Sequence, residues 1–178
     1  MEIVRTFVYL RGLITCDGRC DGVLNRKIGE GRGIFKSLCQ IWSHASISQQ
    51  RKIEIFNACV ASKFLYSLES LWMLKADRSR VDSFQCRRLR RIVKIPPSFV
   101  SRISNEEVFA QTCQKRFSCI LRVRQVRLYQ KVQSMPLSSP VRRLVCDSVG
   151  SPVNWAYNRK RGRPRQRWSA SVHNLLTT

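Results

Sequence analysis

Apolar residues recur at intervals of three or four between Ser48 and Leu71, and this spacing constrains the fold more than any other feature of the sequence. On an α-helix it brings the whole set to one face, which must then pack against other elements. The set consists of Ile53, Phe56, Val60, Phe64, Leu68 and Leu71. Ser48 can accept a hydrogen bond from a free N–H of the first turn and is the predicted N-cap. We therefore expect a buried helix at the centre of the fold.

A second helix is predicted from a cap near Asp77 to the stop at Pro96-Pro97. Its inward residues are predicted to be Val81, Phe84, Leu89 and Ile92. The same helix carries the basic run Arg87-Arg88-Leu89-Arg90-Arg91. Because successive helical residues point about 100° apart, these four guanidiniums cannot all face one way.

Two more helices are predicted further along the chain. Ser104 and Glu107 have the spacing of a capping box, which starts a helix at that point. The next helix is expected over 115–134, and Met135-Pro136 ends it. Its predicted inward residues are Phe117, Ile120, Leu121, Leu128 and Val132, and its outward ones are Arg122, Arg124, Arg127 and Lys131.

The N-terminal segment has a different pattern. Residues 3–10 are rich in β-branched and aromatic types, and together with Leu13-Ile14 and a turn signal at 16–19 they predict a short β-hairpin. A helix is expected from Asp21 to Trp42. It should bend or break in its middle, where each of three glycines lowers helix stability by up to about 1 kcal/mol. These glycines are Gly29, Gly31 and Gly33.

The net charge of +22, from 33 Lys and Arg against 11 Asp and Glu, indicates a polyanionic partner. Arginines outnumber lysines 24 to 9, and a planar guanidinium suits phosphate and bases better than an ammonium does. The charge is uneven, since residues 108–178 contain 14 Lys and Arg and a single acid, Asp147. Residues 108–178 are thus the more obvious polyanion binder.

Eight cysteines raise the question of disulfides or zinc, but no Cys-x-x-Cys occurs and only two histidines are present. We expect small core residues in a reducing compartment and no metal site. The longest apolar runs, such as Leu71 to Leu74, are too short to cross a bilayer, so no membrane partner is expected. The location should be intracellular, in the nucleus rather than the cytoplasm.

No self-contained catalytic constellation is present in the sequence. Two-metal phosphoryl transfer needs converging carboxylates, and the adjacent pair Glu106-Glu107 fits the capping box better. Neither a phosphate-binding Gly-rich loop with Lys nor a Gly-x-Ser-x-Gly elbow occurs. We expect no enzymatic activity, no cofactor and no small-molecule substrate.

The order of residues resembles the region that follows the polymerase palm in reverse transcriptases of non-LTR (LINE-type) retrotransposons, over nearly the whole chain. The resemblance is carried by Tyr9-Leu10-x-Gly12 with Asp17-Gly18; Arg26-Lys27-Ile28-Gly29; Phe35-x-x-Leu38 with Trp42; Ile47-Ser48; Lys52 and Phe56-Asn57-Ala58-x-Val60; Leu65-Tyr66-x-x-Glu69-x-x-Trp72; Phe84 with Leu89-Arg90-Arg91-Ile92; Ser104-Asn105-Glu106-Glu107-Val108; Met135-Pro136; and Lys160-Arg161-Gly162-Arg163-Pro164-Arg165-x-Arg167-Trp168. No single segment is specific, but their order and spacing together are.

The resemblance implies a mainly α chain with a remnant of a palm β-hairpin (1–20), thumb-like helices (21–97), a second helical segment (98–149) and a basic flexible tail (150–178). The aspartates that transfer nucleotides in that family lie upstream of Tyr9, so a non-catalytic fragment is expected. Two departures suggest decay. The family's usual Arg-Trp-x-Gly-His corresponds to 127–131, which lacks the Trp, Gly and His, and the Asp expected soon after Arg167-Trp168 is missing at 169–171.

The expected partner is an RNA/DNA hybrid or duplex DNA, bound through its sugar-phosphate backbone without sequence specificity. The candidate contacts are Arg87, Arg88, Arg90, Arg91, Lys94, Arg122, Arg124, Arg127, Arg159, Lys160, Arg161, Gly162, Arg163, Pro164, Arg165 and Arg167. The alternative for the first five is an exposed helix face that only keeps the protein soluble.

Arg161-Gly162-Arg163-Pro164 also matches the core of an AT-hook, whose Gly lets the backbone approach the floor of a narrow minor groove. The alternative function is therefore a small chromatin protein that binds AT-rich DNA through this tail. Generic phosphate binding and a nuclear-localisation patch are its rivals.

Large aromatic residues are predicted to pack rather than to bind. Trp42, Tyr66 and Trp72 fall on apolar helical faces, so core packing is expected for each. Trp168 could stack on a base. More often such a residue anchors a terminal helix, here with Val172, Leu175 and Leu176 beside it.

Overall fold

The computed structural model describes residues 5–9, 12–15, 20–44, 46–153 and 167–176. The described chain is mainly α-helical, and a two-stranded hairpin precedes the helices, as predicted. It divides into two compact units. Unit 1 comprises Met1–Leu68 and Met73–Ile120, and unit 2 comprises Glu69–Trp72 and Leu121–Thr178.

The hairpin consists of β1 (Thr6–Tyr9) and β2 (Gly12–Thr15), paired antiparallel with Phe7 opposite Ile14. Both strands carry β-branched or aromatic residues, which favour a pleated backbone. The turn signal predicted at 16–19 lies outside the described residues.

Helix α1 (Asp21–His44) is continuous, so the bend or break expected at its glycines is wrong. The reason is a distant contact. A Cβ on Gly31 would lie 2.7 Å from Cζ of Phe84, so the missing side chain lets the two helices approach closely. A Cβ on Gly29 or Gly33 would meet nothing within 4 Å. Packing against α1 therefore outweighs the intrinsic cost of the glycines.

The central apolar face predicted after Ser48 is present, but not on one regular helix. Ser48 accepts a hydrogen bond from Arg51 N–H at the start of α2 (Gln49–Phe56), as predicted. A π-helical turn (Asn57–Ala61) and α3 (Ser62–Leu65) follow. The predicted face from Ile53 to Leu68 is buried, whereas Leu71 is half-buried. A π-turn inserts one extra residue per turn, which the three-and-four spacing does not reveal.

Two of the three aromatic residues assigned to the core differ from expectation. Trp42 is buried and meets Phe35 edge to face, with ring centroids 5.8 Å apart. Tyr66 is 52% exposed because the chain leaves the helix at this residue, and its ring lies 5.3 Å from Lys27 Nζ. Trp72 is half-buried.

Helix α4 (Lys75–Ile92) begins two residues before the predicted cap. Asp77 is not its N-cap but the third helical residue, where its carboxylate accepts a hydrogen bond from Leu74 N–H over 3.0 Å. Cys20 Sγ also donates to this carboxylate, over 3.2 Å. Desolvation and Asp77 together raise the pKa of Cys20 to about 12.

After α4 come the short α5 (Ser98–Ser101) and then α6 (Asn105–Thr112), which starts with the predicted capping box. Ser104 Oγ accepts from Glu107 N–H over 3.2 Å, and the Glu107 carboxylate accepts from Ser104 N–H over 3.0 Å. Helix α7 (Phe117–Gln133) follows, and Gln85 Oε1 accepts a hydrogen bond from its first N–H, that of Phe117, over 2.8 Å. Buried aromatic rings stack through unit 1, with Phe64 4.5 Å from Phe84 and 5.6 Å from Phe117.

Unit 2 is built from the rest of α7, α8 (Pro140–Val145) and α9 (Trp168–Asn174) around a small core. The core consists of Tyr129, Val132, Cys146 and Val172, with Val126, Val145 and Trp168 packed against it. Trp168 Nε1 donates to the Glu69 carbonyl over 2.9 Å, so Trp168 anchors a terminal helix as expected. No described helix is both long and apolar enough to cross a membrane.

Candidate nucleic-acid interface

The basic run of α4 divides between the interior and the surface. Leu89 and Arg90 are buried, Arg88 is half-buried, and Arg87 and Arg91 are exposed. Arg87 and Arg91 stand one helical turn apart and so share a face. The helical period thus places the four guanidiniums of this short run in three different environments: exposed, half-buried and buried.

Arg88 is held between the aromatic rings of two helices. Its guanidinium carbon lies 5.2 Å from the ring centroid of Phe35 on α1 and 5.2 Å from that of Phe84 on α4. Its buried Nε has no hydrogen-bond partner among the described residues. Desolvation by this burial lowers the pKa of Arg88, and repulsion from Arg32 and Arg91 lowers it further. The side chain is therefore fixed in a position that disfavours its own charge.

One concave surface, the α1–α4 cleft, has a volume of about 470 Å³. Helix α1 contributes Arg32 and Gly29 to its wall, and α4 contributes Arg80, Arg87 and Arg88. Arg80 is partly neutralised, since its Nη1 lies 3.2 Å from Asp21 Oδ1 and 3.7 Å from Asp77 Oδ1. Arg32, Arg87 and Arg88 form no ion pair with a described carboxylate.

A second concave surface, the α4–α5 cleft, has a volume of about 540 Å³ and shares Arg87 and Arg88 with the first, since both residues line both clefts. Arg91 lines it as well, and its guanidinium carbon lies 5.8 Å from the Phe35 ring centroid. Arg91 forms no ion pair with the described part of the chain. We call Arg32, Arg87, Arg88 and Arg91 the arginine surface.

Arg90 is occupied within the protein. Its Nη1 donates to the Pro96 carbonyl over 3.0 Å, and its Nη2 donates to the Ile103 carbonyl over 2.7 Å and to Asn105 Oδ1 over 3.1 Å. Its side chain is thus a support for the loop after α4 rather than a phosphate contact. Lys94 is exposed at the end of α4, in a left-handed backbone conformation with φ of 59°.

The other predicted contacts fall in unit 2 or outside the described residues. Arg122 and Arg127 are exposed on α7, whereas Arg124 is half-buried. Arg167 Nη1 donates to the Val153 carbonyl over 2.9 Å. The remaining predicted contacts lie outside the described residues, and these are Arg159, Lys160, Arg161, Gly162, Arg163, Pro164 and Arg165.

Sequence reasoning missed Arg32 as a candidate contact. Its signal was the helical spacing Ile28, Arg32, Phe35 and Cys39, which puts Arg32 beside the buried Phe35. The expectation of a broken helix at Gly31 hid that spacing. In the described part of the chain, no three His, Cys, Asp or Glu side chains come together as a metal site would require.

Comparison of the chain with protein-family models, with curated proteins and with solved structures gives no match.

Proposed function

We propose that the protein binds the sugar-phosphate backbone of nucleic acid, without sequence specificity, through the arginine surface. The observation that carries this proposal is the clustering of Arg32, Arg87, Arg88 and Arg91, with no described carboxylate paired to any of them. Uncompensated guanidiniums beside a cleft attract a polyanion, and phosphate oxygens match their planar donor geometry.

Arg88 makes the arginine surface favour an anionic ligand. In the free protein burial lowers the pKa of Arg88, and repulsion from Arg32 and Arg91 lowers it further. A bound phosphate near the cleft would offset that repulsion. Binding would therefore stabilise a charge that the folded protein disfavours. Backbone contacts of this kind position a duplex but carry no sequence information.

We also propose that the chain is related to the thumb and downstream region of LINE-type reverse transcriptases and has no polymerase activity of its own. Support comes from the order of residues across the sequence, in which the basic run of α4 falls within the thumb-like segment. The preferred ligand would then be an RNA/DNA hybrid or a duplex of primer and template.

The test is a salt titration of the full chain against a labelled RNA/DNA hybrid, AT-rich duplex DNA and GC-rich duplex DNA. We expect binding to all three, with affinity that falls steeply as salt rises. The double variant Arg87→Ala with Arg91→Ala should lose about tenfold or more in affinity and lower the slope of log K against log salt by about 2.

The matched control removes the same charge elsewhere. Lys36 on α1 and Lys75 on α4 are both exposed and line neither cleft, so Lys36→Ala with Lys75→Ala should keep most of the affinity. Equal losses in the two double variants would show that only net charge matters and would contradict the proposed surface.

A second candidate function rests on Arg161-Gly162-Arg163-Pro164, which has the AT-hook sequence. Deleting 159–168 would also remove Trp168, whose indole anchors α9, so the cleaner variant is Arg161→Ala with Arg163→Ala. Near-total loss of binding to AT-rich duplex in this variant would favour the chromatin protein. Retained binding to all three duplexes would favour the arginine surface.

A further inference from the structure

Phe99 is the most exposed aromatic side chain among the described residues, with 85% of its surface accessible. It lies on α5 and lines the α4–α5 cleft, whose lining also includes Arg87, Arg88, Arg90 and Arg91, with Arg87 and Arg91 the exposed members of that set. An aromatic ring next to a row of guanidiniums is the arrangement that single-stranded nucleic-acid sites use, with stacking on one side and phosphate contact on the other.

The loop that carries this exposed ring is held by hydrogen bonds at both ends of α5. The buried Arg90 guanidinium binds the Pro96 carbonyl before α5 and the Ile103 carbonyl after it, over 3.0 and 2.7 Å. Ser101 Oγ donates to the Pro96 carbonyl over 3.2 Å. Both ends of α5 are thereby tied to α4, so the backbone that carries Phe99 is held beside the cleft.

The positive charge of the α4–α5 cleft decides which kind of ligand can bind there. A second copy of this chain would bring another arginine surface and the same net charge of +22, which opposes self-association there. A ligand with a flat aromatic face and negative charge fits the ring and both arginines at once. A base inside a duplex already has both faces covered by its neighbours, so stacking on Phe99 favours an unpaired base over an internal paired one.

We propose that Phe99 is a stacking platform for an unpaired base of a single-stranded nucleic acid whose phosphates are held by Arg87 and Arg91. This inference rests on the proposed function of the arginine surface and extends it from the paired region of a primer and template duplex to the unpaired bases of its overhang or of a free single strand.

The test compares Phe99→Ala with the wild-type chain on a single-stranded oligonucleotide and on a blunt duplex of equal length. Phe99→Ala should weaken single-strand binding about tenfold and leave blunt-duplex binding within about twofold. Phe99→Trp should restore the single-strand affinity. A 2-aminopurine base in the single strand should lose fluorescence on binding to the wild type and keep it on binding to Phe99→Ala.

The matched control is Val100→Ala, which changes the neighbouring residue of α5, also exposed but not part of the cleft lining. It should leave both affinities unchanged, and circular dichroism should show equal helix content in all variants. Equal loss on single strand and duplex in Phe99→Ala, or no loss on either, would overturn the stacking proposal.

Two further outcomes would also overturn it. One is binding to phosphatidylserine vesicles that Phe99→Ala abolishes while oligonucleotide binding persists, and the other is a dimer that the same variant dissociates. Failure of the proposed function has a different signature, because the wild-type chain would then bind neither oligonucleotide at low salt.

Discussion

The arginines of the two units are used in different ways. In unit 1, Arg32, Arg87, Arg88 and Arg91 line clefts and pair with no described carboxylate. In unit 2, three arginines hold backbone carbonyls, as the buried Arg90 does in unit 1. Arg142 Nη1 donates to Met135, Arg143 Nε donates to Leu137 and Arg167 Nη1 donates to Val153.

Charge density alone does not show which guanidiniums of the described chain are available to a ligand. Residues 108–178 contain a single acid and were predicted to be the more obvious polyanion binder. Three of their described guanidiniums donate to backbone carbonyls, whereas Arg122 and Arg127 are exposed on α7. That residues 108–178 bind the polyanion stays a prediction, because 159–165 lie outside the described residues. Whether a guanidinium is available to a ligand depends on its neighbours in space and not on the charge of its segment. The arginine surface lies in unit 1, where acidic residues are more frequent than in 108–178.

The largest expected effect separates two adjacent arginines of α4. Arg90→Ala should lower the free energy of unfolding by about 3 kcal/mol, because the Pro96 and Ile103 carbonyls would lose charged donors in a buried site. Arg91→Ala, at an exposed position, should change it by less than about 0.5 kcal/mol. Urea unfolding followed by circular dichroism measures both. Similar stability in the two variants would contradict the division of the basic run into interior and surface.

A smaller effect is expected from the spacing of the two helices that form the α1–α4 cleft. Gly31→Ala should destabilise by about 2 kcal/mol, because the new methyl group would collide with the Phe84 ring, which Phe64 holds at 4.5 Å. Gly29→Ala and Gly33→Ala should each stabilise by up to about 1 kcal/mol, since nothing opposes the added Cβ. Thermal melting of the three variants checks the order. A stabilised Gly31→Ala would mean that α1 and α4 are not in close contact.

The extent to which the fold could be predicted from sequence depended on the range of the interactions. Ser48 and the Ser104–Glu107 capping box act over three residues, and both were predicted. The continuity of α1 at Gly31 depends on its contact with Phe84, which is 53 residues away in the sequence, so helix propensity alone predicted a broken helix. The π-turn at Asn57–Ala61 leaves no signal in the apolar spacing.

The candidate site was predictable to a similar degree. The run 87–91 was identified, but its division depended on the carbonyls of the following loop, which no periodicity reports. Phe99 resembles any other core residue in the sequence, and only its position on a short helix beside two prolines exposes it. The contacts placed in 159–165 remain predictions from sequence.

A third prediction contrasts one arginine from each unit. Arg142→Ala should cost about 1 kcal/mol of unfolding free energy, the usual value of one lost hydrogen bond, and leave nucleic-acid affinity near that of the wild type. Arg87→Ala should do the reverse, with unchanged stability and affinity about threefold to tenfold lower. Fluorescence anisotropy measures the nucleic-acid affinity of both variants, and urea unfolding measures their free energy of unfolding. A loss of affinity in Arg142→Ala as large as that in Arg87→Ala would remove the distinction between the units.

The smallest expected effect can be measured without any substitution. Each unit holds a buried cysteine whose alkylation reports local unfolding of that unit. Cys86 lies in unit 1 and Cys146 in unit 2, and both are 2% exposed. Burial raises the pKa of Cys86 from 9.0, so its closed-state thiol is protonated and unreactive at pH 8. Alkylation must then follow local unfolding, and the four-residue core of unit 2 should open more readily than the aromatic core of unit 1.

We therefore expect iodoacetamide to label the exposed Cys113 and Cys119 first, Cys146 next and Cys86 last, as read by mass spectrometry of proteolytic fragments. The labelling rate of Cys86 should rise with pH up to about 9, because the thiolate fraction of the opened state sets the rate. Nucleic acid bound to the arginine surface should slow Cys86, since a ligand that binds the folded unit 1 lowers its open population. If the ligand protects Cys146 and not Cys86, the functional surface belongs to unit 2, and the contrast between the two sets of arginines is inverted.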